Sequence, residues 1–79
     1  MKTWTYKHGN NTICVTNRSH VAELSVNGEL QDRRRGWFAS GPMTGKLPTG
    51  EEIKADLNGV LSIQCSLFVD NKLQEPIRK

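Results

Sequence analysis

Turn-forming residues recur at short, regular intervals along this chain, and that spacing constrains its fold more than any other feature. His8-Gly9-Asn10-Asn11, Asn27-Gly28, Thr49-Gly50, Asn58-Gly59 and Asp70-Asn71 all stand between short apolar runs. Glycine, asparagine and aspartate tolerate the positive φ angles that tight hairpin turns require. Between the turns the pattern has period two. Ile13 and Val15 alternate with Thr12, Cys14 and Thr16, while Ala22, Leu24 and Val26 alternate with Glu23 and Ser25. The longest such run is Leu61, Ile63, Cys65, Leu67 and Val69, interleaved with Ser62, Gln64, Ser66 and Phe68. Alternation of this kind describes strands with one face on a core. No 3.6-residue stripe extends over ten or more positions. Even 50–57 reads as a strand, because Ile53, Ala55 and Leu57 alternate with Glu52, Lys54 and Asp56.

The pattern also repeats. Residues 23–32 align with 66–75 at an offset of 43, and 6–15 can be laid over 46–55 at an offset of 40, pairing Ile13 with Ile53. The three extra residues lengthen the hairpin around Asn58-Gly59. Each half then reads as a four-stranded meander: 2–7, 11–16, 20–27 and 29–35, followed by 43–47, 51–57, 60–69 and 72–77. Residues 36–42 join the halves, and Pro42 has no N–H with which to continue a ladder. Two meanders with one apolar face each bury those faces against each other at a separation of ~10 Å. The expected fold is therefore all-β: a small antiparallel β-sandwich or flattened barrel of about eight short strands built from two repeated meanders (about 2–35 and 43–77), one domain over 1–79. Its predicted core is Trp4, Tyr6, Ile13, Val15, Leu24, Val26, Leu30, Leu47, Ile53, Ala55, Leu57, Leu61, Ile63, Cys65, Leu67 and Val69.

Composition limits what such a domain does. The chain has 79 residues, 35% of them hydrophobic, which is enough for one thin core. At this size the entropy of ordering, ~1.5 kcal/mol per residue, nearly cancels burial. A homodimer formed through an edge strand or an exposed aromatic face is accordingly an expectation. No apolar run approaches the ~20 residues of a membrane-spanning helix. The first twelve residues are mostly polar, unlike a secretion signal, so the expected compartment is the cytoplasm and no membrane partner is expected. Cys14 and Cys65 are far apart in sequence and read as thiols rather than a disulfide. They form no metal-binding spacing with His8 or His20.

The hairpins resemble a known family. Leu24-Ser25-Val26-Asn27-Gly28-Glu29-Leu30, the segment 33–38, Gly45-Lys46-Leu47, Ile53-Lys54-Ala55 and Leu67-Phe68-Val69-Asp70-Asn71-Lys72 are together similar to the β-sandwich domains of Fas apoptotic inhibitory molecule. In that family a strand ending in valine-aspartate-glycine turns into a lysine- or glutamate-rich return strand and leads on towards a tryptophan. The resemblance covers residues 20–75. This chain departs from the pattern at Asn27, where the family often has aspartate, and at Asn71, where glycine is common. The resemblance implies a non-enzymatic β-sandwich that works through protein contacts. It transfers no partner, because no partner-binding motif is matched residue by residue.

The usual signatures of catalysis are missing from the sequence. Acid–base work needs two groups with separated pKa values in one pocket. The acids Glu23, Glu29, Asp32, Glu51, Glu52, Asp56, Asp70 and Glu75 fall mostly beside turns or at outward strand positions. Ser19 and His20 are neighbours, but adjacent strand residues diverge, and there is no Gly-x-Ser-x-Gly elbow. Cys14 lies on the opposite side of the alternation from Ile13 and Val15, without a dependable base nearby. Gly41-Pro42-Met43-Thr44-Gly45-Lys46 looks like a phosphate loop but lacks its spacing and its helix. The expectation is a protein that is not an enzyme and uses no cofactor or metal.

One segment stands out for contact. Net charge is +3. Nearly all of that excess comes from Arg33, Arg34 and Arg35, followed by Trp37. If the strand 29–35 continues, Arg33, Arg35 and Trp37 share a face, where a guanidinium can stack on the indole. Such a face grips an acidic protein surface, or binds a phosphate backbone while stacking a base. The competing structural reading is that edge-strand arginines block aggregation and Trp37 fills the core. Basic charge is confined to the cluster, which favours a protein partner over single-stranded nucleic acid. The expected function is a protein interaction or accessory module, with Arg33, Arg34, Arg35 and Trp37 as its binding residues. Weak nucleic-acid binding through the Arg33-Arg35/Trp37 face is the alternative.

Overall fold

The turn residues close hairpins. The computed structural model describes residues 2–18, 21–35, 42–58 and 63–77. It places Lys2–His8 (β1), Asn11–Arg18 (β2), Val21–Val26 (β3) and Glu29–Arg35 (β4) in one antiparallel sheet. Met43–Lys46 (β5), Glu52–Asn58 (β6), Gln64–Val69 (β7) and Lys72–Gln74 (β8) form a second. Both sheets are meanders in chain order, so the fold is an all-β sandwich of two four-stranded sheets. Among the described residues no helix is long and apolar enough to cross a membrane.

The two sheets share registers as well as strand order. Ile13 pairs with Val26 in the first sheet, and Ile53 pairs with Val69 in the second. The turn at Asn27-Gly28 has φ values of 50° and 85°, and that at Asp70-Asn71 has 48° and 66°. Residues with φ > 0 at both central positions make the tight turn whose twist matches paired strands. Each turn is tied to the neighbouring strand in the same way. Asn27 N donates to Thr12 O at 2.8 Å while Thr12 N donates to Asn27 Oδ1 at 2.9 Å. Asp70 N donates to Glu52 O at 2.8 Å while Glu52 N donates to Asp70 Oδ1 at 2.9 Å. An asparagine or aspartate is needed there, because only a short side chain with an acceptor oxygen can satisfy that N–H beyond the end of the ladder.

The core draws equally on both sheets: Tyr6, Ile13, Val15, Ala22, Leu24 and Val26 from the first, with Met43, Leu47, Ile53, Ala55, Leu67 and Val69 from the second half. Trp4, Leu57 and Cys65 pack against it half-buried. Two expected core residues are not inside. Leu30 is 51% exposed, because the two-residue turn sets it opposite Ser25, which faces outward. Ile63 precedes β7 and is exposed. Leu61 lies outside the described residues. Ala22 and Met43 are buried although they were not expected in the core; Met43, Gly45 and Leu47 form an alternation of their own, with Met43 opposite Ala55.

The sheets are joined at both margins. β8 ends at Gln74, short of the expected 72–77, because Pro76 has no N–H for the ladder. The chain instead crosses to β1, where Ile77 N donates to Thr5 O at 2.7 Å. At the other margin β4 lies beside β5. Asp32 Oδ2 accepts from Thr44 N at 3.0 Å, and Gln31 Oε1 accepts from Lys46 N at 3.4 Å. This approach depends on Gly45, where an added Cβ would stand 3.0 Å from the Gln31 Cβ and 3.2 Å from its Cγ.

The loop between β5 and β6 closes one end. Gly50, at φ 100°, completes a turn in which its N–H donates to Leu47 O at 2.9 Å. The Thr49 hydroxyl donates to the Glu51 carboxylate, whose other oxygen faces His8 Nε2 at 3.5 Å. The Thr49 hydroxyl first, then a backbone N–H and the neighbouring His8, hold the Glu51 carboxyl below its ordinary value.

Two outcomes follow. Gly45→Ala forces Gln31 away from β5 and is expected to lower unfolding stability by about 1–3 kcal/mol in urea denaturation. Because the folded-state value of Glu51 is depressed, its contribution to stability is present above the ordinary glutamate range and is lost as pH falls through the depressed value. In carboxyl NMR titration Thr49→Ala should return Glu51 further towards the ordinary range than His8→Gln does; an unchanged midpoint in Thr49→Ala would refute the assignment.

Candidate binding face

A β-bulge decides where the arginines point. Ser25 pairs with Leu30 but Leu24 pairs with Asp32, so Gln31 is an extra residue in β4. Beyond a one-residue bulge the alternation changes phase. Asp32 lies opposite Leu24 and Arg34 opposite Ala22, both on the core side at the margin facing β5. Arg33 lies opposite Glu23 and Arg35 opposite Val21, on the outer face. Arg34 therefore does not join the other two. Its guanidinium reaches Asp32 Oδ2 and Pro42 O, each at 3.4 Å, and belongs to the seam. Trp37 lies outside the described residues.

Arg33 is engaged on its own face. Its Nε donates to Glu23 Oε2 at 2.7 Å, and the same oxygen lies 2.6 Å from a terminal guanidinium nitrogen. The pair is partly exposed, with side-chain exposures of 44% for Arg33 and 29% for Glu23. Such surface pairs contribute little to stability, ~0–1 kcal/mol.

Hairpin pairing brings in a fourth arginine that sequence reasoning missed. Val21 pairs with Arg18 on one side and Arg35 on the other, so the two arginines flank it. Two strand spacings put their backbones about 10 Å apart. The available signal was the length of the β2–β3 hairpin: a two-residue connection after Arg18 brings it opposite Val21. The outer face of the first sheet carries Lys7, Arg18, Arg33 and Arg35 against one acid, Glu23. The rest of that face is largely small and polar: Thr3, Thr5, Thr12, Cys14, Thr16 and Ser25. By contrast, the outer face of the second sheet mixes Lys46, Glu52, Lys54 and Asp56 with Phe68 and the exposed Leu73. Trp4 and Tyr6 point inward, so among the described residues the arginine face has no aromatic ring.

The groups that invite a catalytic reading are arranged otherwise. His8 faces Glu51 at the exposed loop, and Thr49 also hydrogen-bonds that carboxylate. In a nucleophilic triad the imidazole stands between hydroxyl and acid; here the acid stands between the other two, so His8 is not placed to take the Thr49 proton. His20 and Ser19 lie outside the described residues. A groove of about 300 Å³ on the second sheet is lined by Glu52, Lys54, Asp70 and Asn71, with no histidine. Among the described residues no three His, Cys, Asp or Glu side chains converge as metal ligands.

Inside the sandwich, the Tyr6 hydroxyl is buried without a hydrogen-bond partner among the described residues. Burial first, and then the neighbouring Cys65 thiol, push the Tyr6 phenol above its ordinary value. Their approach falls short of a hydrogen bond of good geometry. Burial likewise pushes the Cys65 thiol up, the Tyr6 hydroxyl partly offsets this, and Asp56 adds to it. This pair resists ionisation and nucleophilic chemistry. Cys14 is on the outer face, half-buried between Thr5 and Ser25.

No family model, curated protein or solved structure matches the chain.

The raised Cys65 value predicts slow alkylation. In a short iodoacetamide pulse at pH 8, Cys65 should remain largely unmodified in the native protein and react fully in urea, as read by peptide mass spectrometry. Native-state labelling of Cys65 as fast as an unstructured peptide would contradict its placement.

Proposed function

We propose that this protein is a non-enzymatic interaction module that binds an acidic protein partner through the outer face of its first sheet. The observation that carries the reading is the clustering of Arg18, Arg33 and Arg35 at one end of that face, with Glu23 as the only acid beside them among the described residues. Guanidinium groups suit carboxylates, which they bind through paired N–H donors. Two further features favour a protein over single-stranded nucleic acid. The face has no ring among the described residues on which a base would stack. Its surroundings of threonine and serine supply short hydroxyl donors of the kind that bind a peptide backbone. The resemblance to the β-sandwich domains of Fas apoptotic inhibitory molecule points the same way, and a cytoplasmic setting fits two free thiols.

The test is binding of fluorescent poly-glutamate and of oligothymidylate, measured by anisotropy at low and high salt. Poly-glutamate should bind more tightly than the oligonucleotide. Its affinity should fall as ionic strength rises through the range where the Debye length drops below ~8 Å. Arg33→Ala/Arg35→Ala should weaken it at least ~10-fold, at about 1 kcal/mol for each exposed pair. Equal binding by the double variant and the parent protein would remove the face from consideration.

A further inference from the structure

Arg33 already holds a carboxylate. Glu23 Oε2 accepts from Nε and lies against a terminal nitrogen of the same guanidinium, which is the edge a ligand carboxylate would use. Arg35 is two residues further along β4 on the same face, and two strand residues span about 6.8 Å. Carboxylates on alternate residues of an extended peptide have that same spacing. Leu30 continues the line at the other end, 51% exposed and outward-facing.

We infer that the ligand is an extended acidic segment whose carboxylates, two residues apart, bind Arg33 and Arg35, and that Glu23 is an internal competitor the segment must displace. The inference rests on the binding face described above and names both its ligand class and the residue that sets its selectivity. Binding at Arg33 exchanges one carboxylate for another. A single acidic group therefore gains little there, because it forms a pair at the expense of the pair with Glu23. A segment that places a second carboxylate on Arg35 gains a contact at a guanidinium that forms no ion pair among the described residues. Its attachment through Arg35 also raises the effective concentration of the first carboxylate beside Arg33. The arrangement thus discriminates against isolated acids, which any arginine would attract, and favours alternating ones. Lysine would not serve at Arg33, because a compact ammonium lacks the planar fork that both Glu23 and the ligand engage.

The experiment uses the full chain and two synthetic peptides of identical composition, one alternating glutamate with threonine and one repeating Glu-Glu-Thr-Thr, in which no two glutamates stand two residues apart. The parent protein should prefer the alternating peptide by about five-fold, the equivalent of one surface ion pair. Glu23→Gln should bind it about five-fold more tightly than the parent. Glu29→Gln removes the same charge from an exposed position that pairs with Val26, away from Arg33, and should improve binding less than two-fold. Arg33→Lys preserves charge and should abolish the preference between the peptides, which separates loss of the fork from any loss of folding seen by circular dichroism. Equal binding of the two peptides, or equal gains from Glu23→Gln and Glu29→Gln, overturns the inference while leaving a basic binding face in place. If neither peptide binds at low salt, the face itself is not a carboxylate site. Tighter binding of oligothymidylate than of either peptide would overturn the inference in favour of nucleic acid.

Discussion

The Asp32 carboxylate is the point on which both the closure of this sandwich and its surface chemistry depend. One oxygen accepts the Thr44 N–H across the seam between the sheets; the other accepts the Arg33 N–H of its own strand. The carboxylate reaches that position only because Gln31 bulges out of β4 and changes the phase of the residues that follow. Without the extra residue, Asp32 and Arg34 would point to solvent while Arg33 and Arg35 turned towards the apolar interior. Burying two guanidinium groups there is unfavourable by several kcal/mol per charge. The same insertion therefore solves two problems. It supplies a seam with an acceptor, and it sorts a run of three consecutive arginines into one structural residue and two that face outward.

The seam belongs to a wider pattern in which side chains and the chain end occupy the margins of the sheets. Exposed strand edges invite pairing with other chains. Here Asp32 and Gln31 take N–H groups of β5, Gln74 Nε2 donates to the Lys72 carbonyl at 3.1 Å, and Ile77 occupies the carbonyl of Thr5. Strand addition, a common way for a small β domain to bind a peptide, would have to displace these contacts. Binding on the outer face of the first sheet leaves these margins intact and displaces only the Glu23–Arg33 pair. Of the two outer faces, only that of the first sheet gathers charge of one sign, which favours a face over an edge for the proposed recognition.

Much of the architecture was legible in the sequence because hairpins are local. Turn residues with a positive-φ tolerance, followed by period-two runs, define strand pairing within a few positions. Both tight turns, the strand order and most of the core follow from that logic. The bulge is not legible in the same way. Glu29-Leu30-Gln31-Asp32 contains nothing that marks an extra residue, and the reason for it, an N–H of β5 in need of an acceptor, is contributed by a segment twelve residues away. Uninterrupted alternation nonetheless puts Arg33 and Arg35 on a common face, and the structure does so too. Arg34's turn into the seam and the ion pair by which Glu23 neutralises Arg33 are not legible in the sequence, and Arg18's approach is legible only through the length of the β2–β3 hairpin. These are consequences of cross-strand register rather than of neighbourhood along the chain.

The two halves share one hairpin scaffold and differ in what they present on it. Their shared elements are local and backbone-directed: the turn side chains of Asn27 and Asp70 reach back to Thr12 and Glu52, and Ile13 and Ile53 face Val26 and Val69. Their differences lie on the outer faces and at the fourth strand. β4 runs to Arg35 through a bulge, whereas β8 stops at Gln74 ahead of a proline. Where β3 and β4 oppose Ser25 and Leu30, β7 and β8 oppose Phe68 and Leu73. A scaffold of this size cannot give up core residues to a binding site without losing stability, since its buried core is, among the described residues, a single thin layer of twelve apolar side chains. A binding surface is more readily built from positions whose side chains leave the core, and a bulge re-aims several of them with a single residue. The long fourth strand of the first half is where that device is used, so the proposed binding face lies on one half of an otherwise matching pair.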